Sequence, residues 1–277
     1  MKKTAKDNND TLNTAFGRRM VHMFGKTSAK KVLRAFENLS LPVPEARDEY
    51  LEGTEGALVF SNKYGVVLRI ERAMNEKHSG HKWDRVDNNP WVQKPLASIK
   101  AGDAVIEVCA GGGLVDDPMQ AAIVERILMD SDVNFWDSNE ANLGAIPFKT
   151  PLFPKGVPIV IDRTAVRKLT EGIEPFVTSL NMMQVRAAEK LIRKAEKEIY
   201  QPLRRAFREA KKDKNMQAFW DKCAAAKKKG DLCAGWNQKA KKGADLSHKT
   251  VLARKHARAY DKKIAKSKKA GPKGLGA

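Results

Sequence analysis

The spacing of apolar positions changes twice along the chain, and each change marks a different kind of element. Between Thr11 and Glu37 the apolar residues Phe16, Met20, Met23 and Phe24, then Val32, Leu33 and Phe36, recur at three- and four-residue intervals. That period predicts a helix, which the prolines Pro42 and Pro44 end. From about Tyr50 to Cys109 the pattern shortens to β-type runs between turn residues. Residues 57–60 and 66–70, joined by Asn62-Lys63-Tyr64-Gly65, predict a hairpin. Residues 91–99 and 104–108, joined by Lys100-Ala101-Gly102-Asp103, predict a second pair. Asp116-Asp117-Pro118 then opens a helix over 119–129, with proline in its first turn. Residues 157–161 predict one more strand. From about Thr170 helical spacing returns, with Leu180, Met183, Ala187, Leu191, Ala195 and Ile199 in one stripe. Pro202 is expected to interrupt it before a helix around Leu203, Phe207 and Ala210; another is expected over 246–264. Residues 1–10 and the Lys- and Gly-rich end are expected to be disordered.

These elements predict an α+β fold: an N-terminal helical segment (1–48), an α+β domain (49–210) whose small antiparallel sheet leads into a mainly helical half, and a basic helical C-terminal extension (211–277). No internal repeat is visible. No stretch approaches the ~20 apolar residues of a membrane helix, and the N-terminus has no apolar run behind its lysines. Three cysteines do not make a disulfide framework, which predicts a reducing, cytoplasmic setting.

Charge changes the picture. Residues 1–180 hold 24 Lys+Arg and 24 Asp+Glu, whereas residues 181–277 hold 28 and 9. The whole net charge of +19 therefore sits in the last third, which predicts a polyanionic partner, nucleic acid first, for residues 181–277. The candidate contacts are Arg204, Arg205 and Arg208, then Lys227, Lys228 and Lys229, then Lys262 and Lys263. Phe219, Trp220, Trp236 and Tyr260 are interleaved with them and could stack on bases, although helix packing is the commoner use.

The middle of the chain carries an ordered series of short signals. Gly53-x-x-Gly56 precedes one strand, and Val66-Val67-Leu68-Arg69 forms the next. Val105-Ile106-Glu107-Val108-Cys109 runs into Ala110-Gly111-Gly112-Gly113. Further on come Asp137-x-x-x-x-Asn142 and Ile161-Asp162. The order resembles the protein-kinase-like fold from Gly53 to Val166, and the Asp137–Asn142 spacing is that of the kinase catalytic loop. The resemblance implies a compact bilobal domain that binds ATP with Mg²⁺. In it Asp137 is the catalytic residue, and Asn142 and Asp162 are metal ligands. Gly53 and Gly56 close over phosphates, Arg69 contacts phosphate, and the main chain from Glu107 to Cys109 holds the nucleotide base. Arg69 stands where that family has Lys, Phe135-Trp136 where it has His-Arg, and Arg163-Thr164 where it has Phe-Gly.

The inventory has its own logic. Phosphoryl transfer needs positioning and charge neutralisation, and two carboxylates with an amide oxygen are the hard donors that Mg²⁺ prefers. Each signal alone also has a simpler source: Gly pairs in turns, Asn and Asp in loops, Asp162 at a helix N-cap. Other chemistries lack their motifs, since no Walker loop, nucleophile elbow or H-E-x-x-H is present. His78 and His81 lie beside Asp84 without the cysteine pair of a zinc site. The function expected is an atypical kinase-like phosphotransferase or nucleotide-binding pseudokinase. The alternative is a non-enzymatic nucleic-acid-binding or assembly protein.

Overall fold

The computed structural model describes residues 11–41, 43, 51–52, 57–61, 63–73, 88–115, 117–135, 138, 142–161, 165–168 and 180–232. Backbone contacts group Met1–Trp236 as one compact unit and Asn237–Ala277 as a second, which lies outside the described residues together with the helix expected over 246–264.

The first helix, α1 (Ala15–Asn38), is capped by Thr14, whose hydroxyl accepts from Gly17 N–H, and is interrupted at Gly25, where φ is 78°. Only a residue without Cβ takes that left-handed value cheaply, so one continuous apolar pattern becomes two helical pieces. Both pieces bury the predicted face, including Phe16, Met20, Phe24, Val32, Leu33 and Phe36.

Five antiparallel strands follow: β1 (Leu51–Glu52), β2 (Leu58–Ser61), β3 (Val66–Arg72), β4 (Ala97–Ala101) and β5 (Ala104–Ala110), in the spatial order β1-β2-β3-β5-β4. Period-2 alternation gives the sheet two characters. Val66, Leu68 and Ile70 of β3 are fully buried on one face, with Phe60 of β2. Phe60 meets Phe16 and Phe36 at centroid distances of 6.2 and 5.4 Å, so α1 covers that face. Val67 and Arg69 take the other face. The β4–β5 hairpin turns on Gly102-Asp103, where Gly102 has φ 71°, and Ser28 of α1 hydrogen-bonds both the side chain and the main chain of Asp103.

The predicted strand over 91–99 is shorter than expected. Residues 88–96 form an irregular strap, closed by Pro90 and Pro95, and only Val92 makes a lone parallel bridge, to Val160.

After β6 (Gly113–Leu114), helix α2 (Pro118–Met129) starts as its sequence predicts, with Asp117 accepting from Met119 N–H. Two small ladders come next. Strand β7 (Val133–Phe135) pairs with β10 (Val166–Lys168), and β8 (Leu143–Ala145) lies between β6 and β9 (Pro158–Val160).

The helical end differs from expectation in register. Helix α3 (Met182–Ala195) buries Val185, Ala188, Ile192 and Ala195, while Met183 is 81 % exposed and Ala187 is also exposed. The buried face is therefore displaced around the helix from the predicted stripe. Pro202 does not break the element either. A π-turn at Glu196–Tyr200 hands the chain over, with Gln201 N–H donating to Glu196 O five residues back, and Pro202 falls in the first turn of α4 (Gln201–Lys212). Helix α5 (Met216–Lys228), which the periodicity did not announce, buries Phe219 and Trp220 completely. Phe207 of α4 meets Phe219 edge-on at 5.1 Å.

Residues on either side of the expected boundaries at 48 and 210 share one apolar core. Trp220 of α5 donates its indole N–H to Leu39 O at 2.7 Å and stacks on Tyr64 at 5.3 Å. Packing thus joins what charge composition set apart.

Candidate functional site

Four strands bracket the two segments that contain Asp137, Asn142 and Asp162. Strand β7 leads into the segment 136–142, and β8 leaves it; β9 leads into 162–165, and β10 leaves that. Phe135 is paired with Val166 and Leu143 with Val160. Ile161 N–H then donates to Asn142 O at 2.9 Å, so Asn142 lies one residue away from position 162 across the ladder. Asn142 is buried. Asp137 and Asp162 themselves, and Arg163, lie outside the described residues, as do Gly53 and Gly56 in the segment joining β1 to β2.

Arg69 lies on the third strand of the five-stranded sheet, 6 % exposed, with its guanidinium 3.0 Å from Glu71. Across the ladder it faces Glu107, which is equally buried. A guanidinium keeps its charge when buried, and carboxylates beside it limit the desolvation cost. Glu107 is paired with Arg69 on one side and Ser98 on the other, and Cys109 with Val67. The main chain of Glu107 is therefore taken up within the sheet, and the chain leaves the sheet only beyond Ala110, at Gly111 and Gly112.

The strap 88–96, whose role sequence reasoning missed, joins these regions. Val160 N–H donates to Trp91 O and Gln93 N–H to Val160 O, both at 2.8 Å. The Gln93 side-chain amide donates to Ala110 O at 3.2 Å, and the Trp91 indole donates to Glu189 of α3 at 3.1 Å. One strap thus touches the end of β5, the strand before position 162, and the helical end. The bracketing Pro90 and Pro95 were its only sequence signal.

Glu125 of α2 reaches the same region. Burial raises its carboxyl above the ordinary value of 4.5, and a hydrogen bond with Ser138, the neighbour of Asp137, partly offsets the rise. Burial also pushes the Cys223 thiol up to about 12, which removes it as a nucleophile near neutral pH. Among the described residues no group of three His, Cys, Asp or Glu side chains forms a metal cluster.

The cationic candidates separate by environment. Arg204 donates to Pro95 O at 3.0 Å and Lys94 O at 3.1 Å and pairs with Glu196, so it fastens α4 to the strap. Lys227 donates to Lys63 O at 2.9 Å, and its stem packs against Gly65 in the β2–β3 turn. Arg205, Arg208, Lys228 and Lys229 are exposed. Phe219 and Trp220 serve packing, whereas Trp236, Tyr260, Lys262, Lys263, His78, His81 and Asp84 lie outside the described residues.

The chain matches no protein-family model, and no curated protein is significantly similar to it. No described helix is long and apolar enough to cross a membrane.

Proposed function

We propose that the chain is an atypical kinase-like protein that binds ATP with Mg²⁺ and transfers its terminal phosphoryl group, with a basic C-terminal segment that engages a polyanion. The observation that carries this reading is the hydrogen bond from Ile161 N–H to Asn142 O at 2.9 Å. It sets Ile161, the residue before Asp162, against Asn142, the last residue of the Asp137–Asn142 segment, which supports a shared metal and phosphate site. The position of Arg69 on the third strand supports it further, since a cation on that strand contacts phosphate in this class of enzyme.

In this reading Asp137 orients the acceptor hydroxyl and takes its proton, while Asn142 and Asp162 hold Mg²⁺, which neutralises charge on the phosphates. Arg69 contacts the phosphates, and main-chain N–H groups around Gly53 and Gly56 cover them. The base meets main-chain groups where β5 leaves the sheet, a shift of a few residues from Glu107–Cys109 that the strand pairing of Glu107 supports.

The test is thermal unfolding with and without Mg²⁺ and ATP, in wild type and Asp162→Ala. At a nucleotide concentration of about 100 Kd, binding adds about 2.7 kcal/mol. A unit of this size gains roughly 2–4 °C per kcal/mol, so the wild-type midpoint rises by about 5–10 °C. The variant shows no rise. A wild-type chain that ignores Mg²⁺ and ATP overturns the proposal. The second reading, a non-enzymatic nucleic-acid-binding or assembly protein, is favoured by the exposed Arg205, Arg208, Lys228 and Lys229.

A further inference from the structure

A groove of about 770 Å³ opens where the C-terminal half of α1, the β4–β5 hairpin and the α4–α5 turn meet. Four lysines and one arginine line it: Lys31 and Arg34 from α1, Lys100 from the hairpin, Lys211 from the last turn of α4, and Lys214 from the turn after it. The acidic residue in the lining is Glu37. All five cations are exposed, and none forms an ion pair with another described residue. Three of the five come from residues 1–180, whose charges balance, so their convergence is a product of folding and not of composition.

We infer that this groove is a docking site for the sugar-phosphate backbone of nucleic acid. Five cations drawn from four structural segments around one concave surface raise the local potential far more than the same charges spread over a convex face. Lys211 alone would be ordinary, because cations favour the last turn of a helix. Lys31, Arg34 and Lys100 have no such reason to be there. The choice of nucleic acid over an acidic protein rests on residue type. Protein-binding surfaces favour Arg, Tyr and Trp and are poor in Lys, whereas four of the five cations lining this groove are Lys, and its one aromatic, Phe207, is buried. Lysine ammonium groups contact phosphate as point charges and read no sequence. The hairpin gives the site a firm edge. A Cβ on Gly102 would come within 3.2 Å of the Lys31 stem and 2.6 Å of Ser28 Oγ, so the hairpin and α1 are in close contact there.

The inference deepens the polyanion part of the proposed function and moves part of its contact surface out of residues 181–277. The test uses the full chain, a fluorescein-labelled DNA duplex of mixed sequence, and anisotropy over a range of salt concentrations. One variant carries Lys31→Gln, Lys100→Gln, Lys211→Gln and Lys214→Gln. A second carries Lys262→Gln and Lys263→Gln. The groove variant loses affinity equally for duplexes of different sequence, and its plot of log affinity against log salt is shallower by about 4, roughly one for each phosphate that a lysine no longer neutralises. All four sites are exposed, so its melting temperature matches wild type. If the groove variant binds as wild type does and only the second variant weakens, the groove is overturned and the C-terminal polyanion reading survives. If wild type binds no duplex, both fall. If polyglutamate displaces the duplex at equal charge concentration, the site is one for acidic protein and the nucleic-acid assignment is overturned.

Discussion

Replacing Trp220 by Phe tests whether the basic helices are part of the folded body. The indole is fully buried, donates to Leu39 O at 2.7 Å, stacks on Tyr64 at 5.3 Å and lies 4.7 Å from the Phe219 ring. Phenylalanine keeps one aromatic ring and removes the N–H. Leu39 is itself buried, so its carbonyl loses this donor, at a cost of about 1–3 kcal/mol. The smaller ring leaves a void that adds roughly 1–2 kcal/mol. At about 2–4 °C per kcal/mol, the melting temperature falls by roughly 4–20 °C. Circular dichroism measures that fall, and hydrogen exchange shows where it acts. Because Trp220 joins α5 to the end of α1 and to the β2–β3 turn, amides in β2 and β3 lose protection together with those of α5. A variant that melts within about 1 °C of wild type, or that loses protection in α5 alone, refutes the shared core.

Arg204→Met breaks the pair with Glu196 and both bonds to the strap, and should cost about 1–3 kcal/mol given its partial exposure. Arg205→Gln and Arg208→Gln, on the exposed side, leave the melting temperature within the equivalent of about 0.5 kcal/mol; parallel melts of the three variants check the contrast. Glu125 binds its proton more tightly in the folded protein than in the unfolded chain, so its contribution to stability falls as pH rises from 4.5 through its higher folded value. Glu125→Gln removes that slope and raises stability at neutral pH, while the carboxamide oxygen can still accept from Ser138; urea unfolding across this pH window measures it.

Much of the architecture could be read from the residues, and the failures have physical causes. Hairpins β2–β3 and β4–β5 were legible because alternation and turn residues are local signals. The buried face of α3 was misplaced because Met183 and Leu191 fit a helical stripe as well as Val185 and Ile192 do, and only a partner surface decides between them. Pro202 looked like a break because periodicity does not reveal the π-turn that accommodates it. The boundary at 210 followed charge, yet solvent-facing lysines say nothing about the opposite face of the same helix, where Phe219 and Trp220 lie. Near the candidate site, the strand before Asp162 was legible from its apolar run. The strap at Trp91 and Gln93 was not, because its bonds link residues far apart in sequence. The groove escaped for the same reason, since no window of sequence contains Lys31, Lys100 and Lys211 together.

The bond from Trp220 to Leu39 spans 181 residues, and this has a consequence for the protein while it is being made. Ribosomes add roughly 5–20 residues per second, so about 10–40 s separate the emergence of Leu39 from that of its partner. During that interval α1 and the first hairpin can form but stay open on the side that α5 will cover. The nascent chain presents an unfinished apolar surface until nearly the whole folded unit has left the ribosome. Early translational stops within α4 or α5 therefore release chains prone to aggregation, not shortened but folded domains.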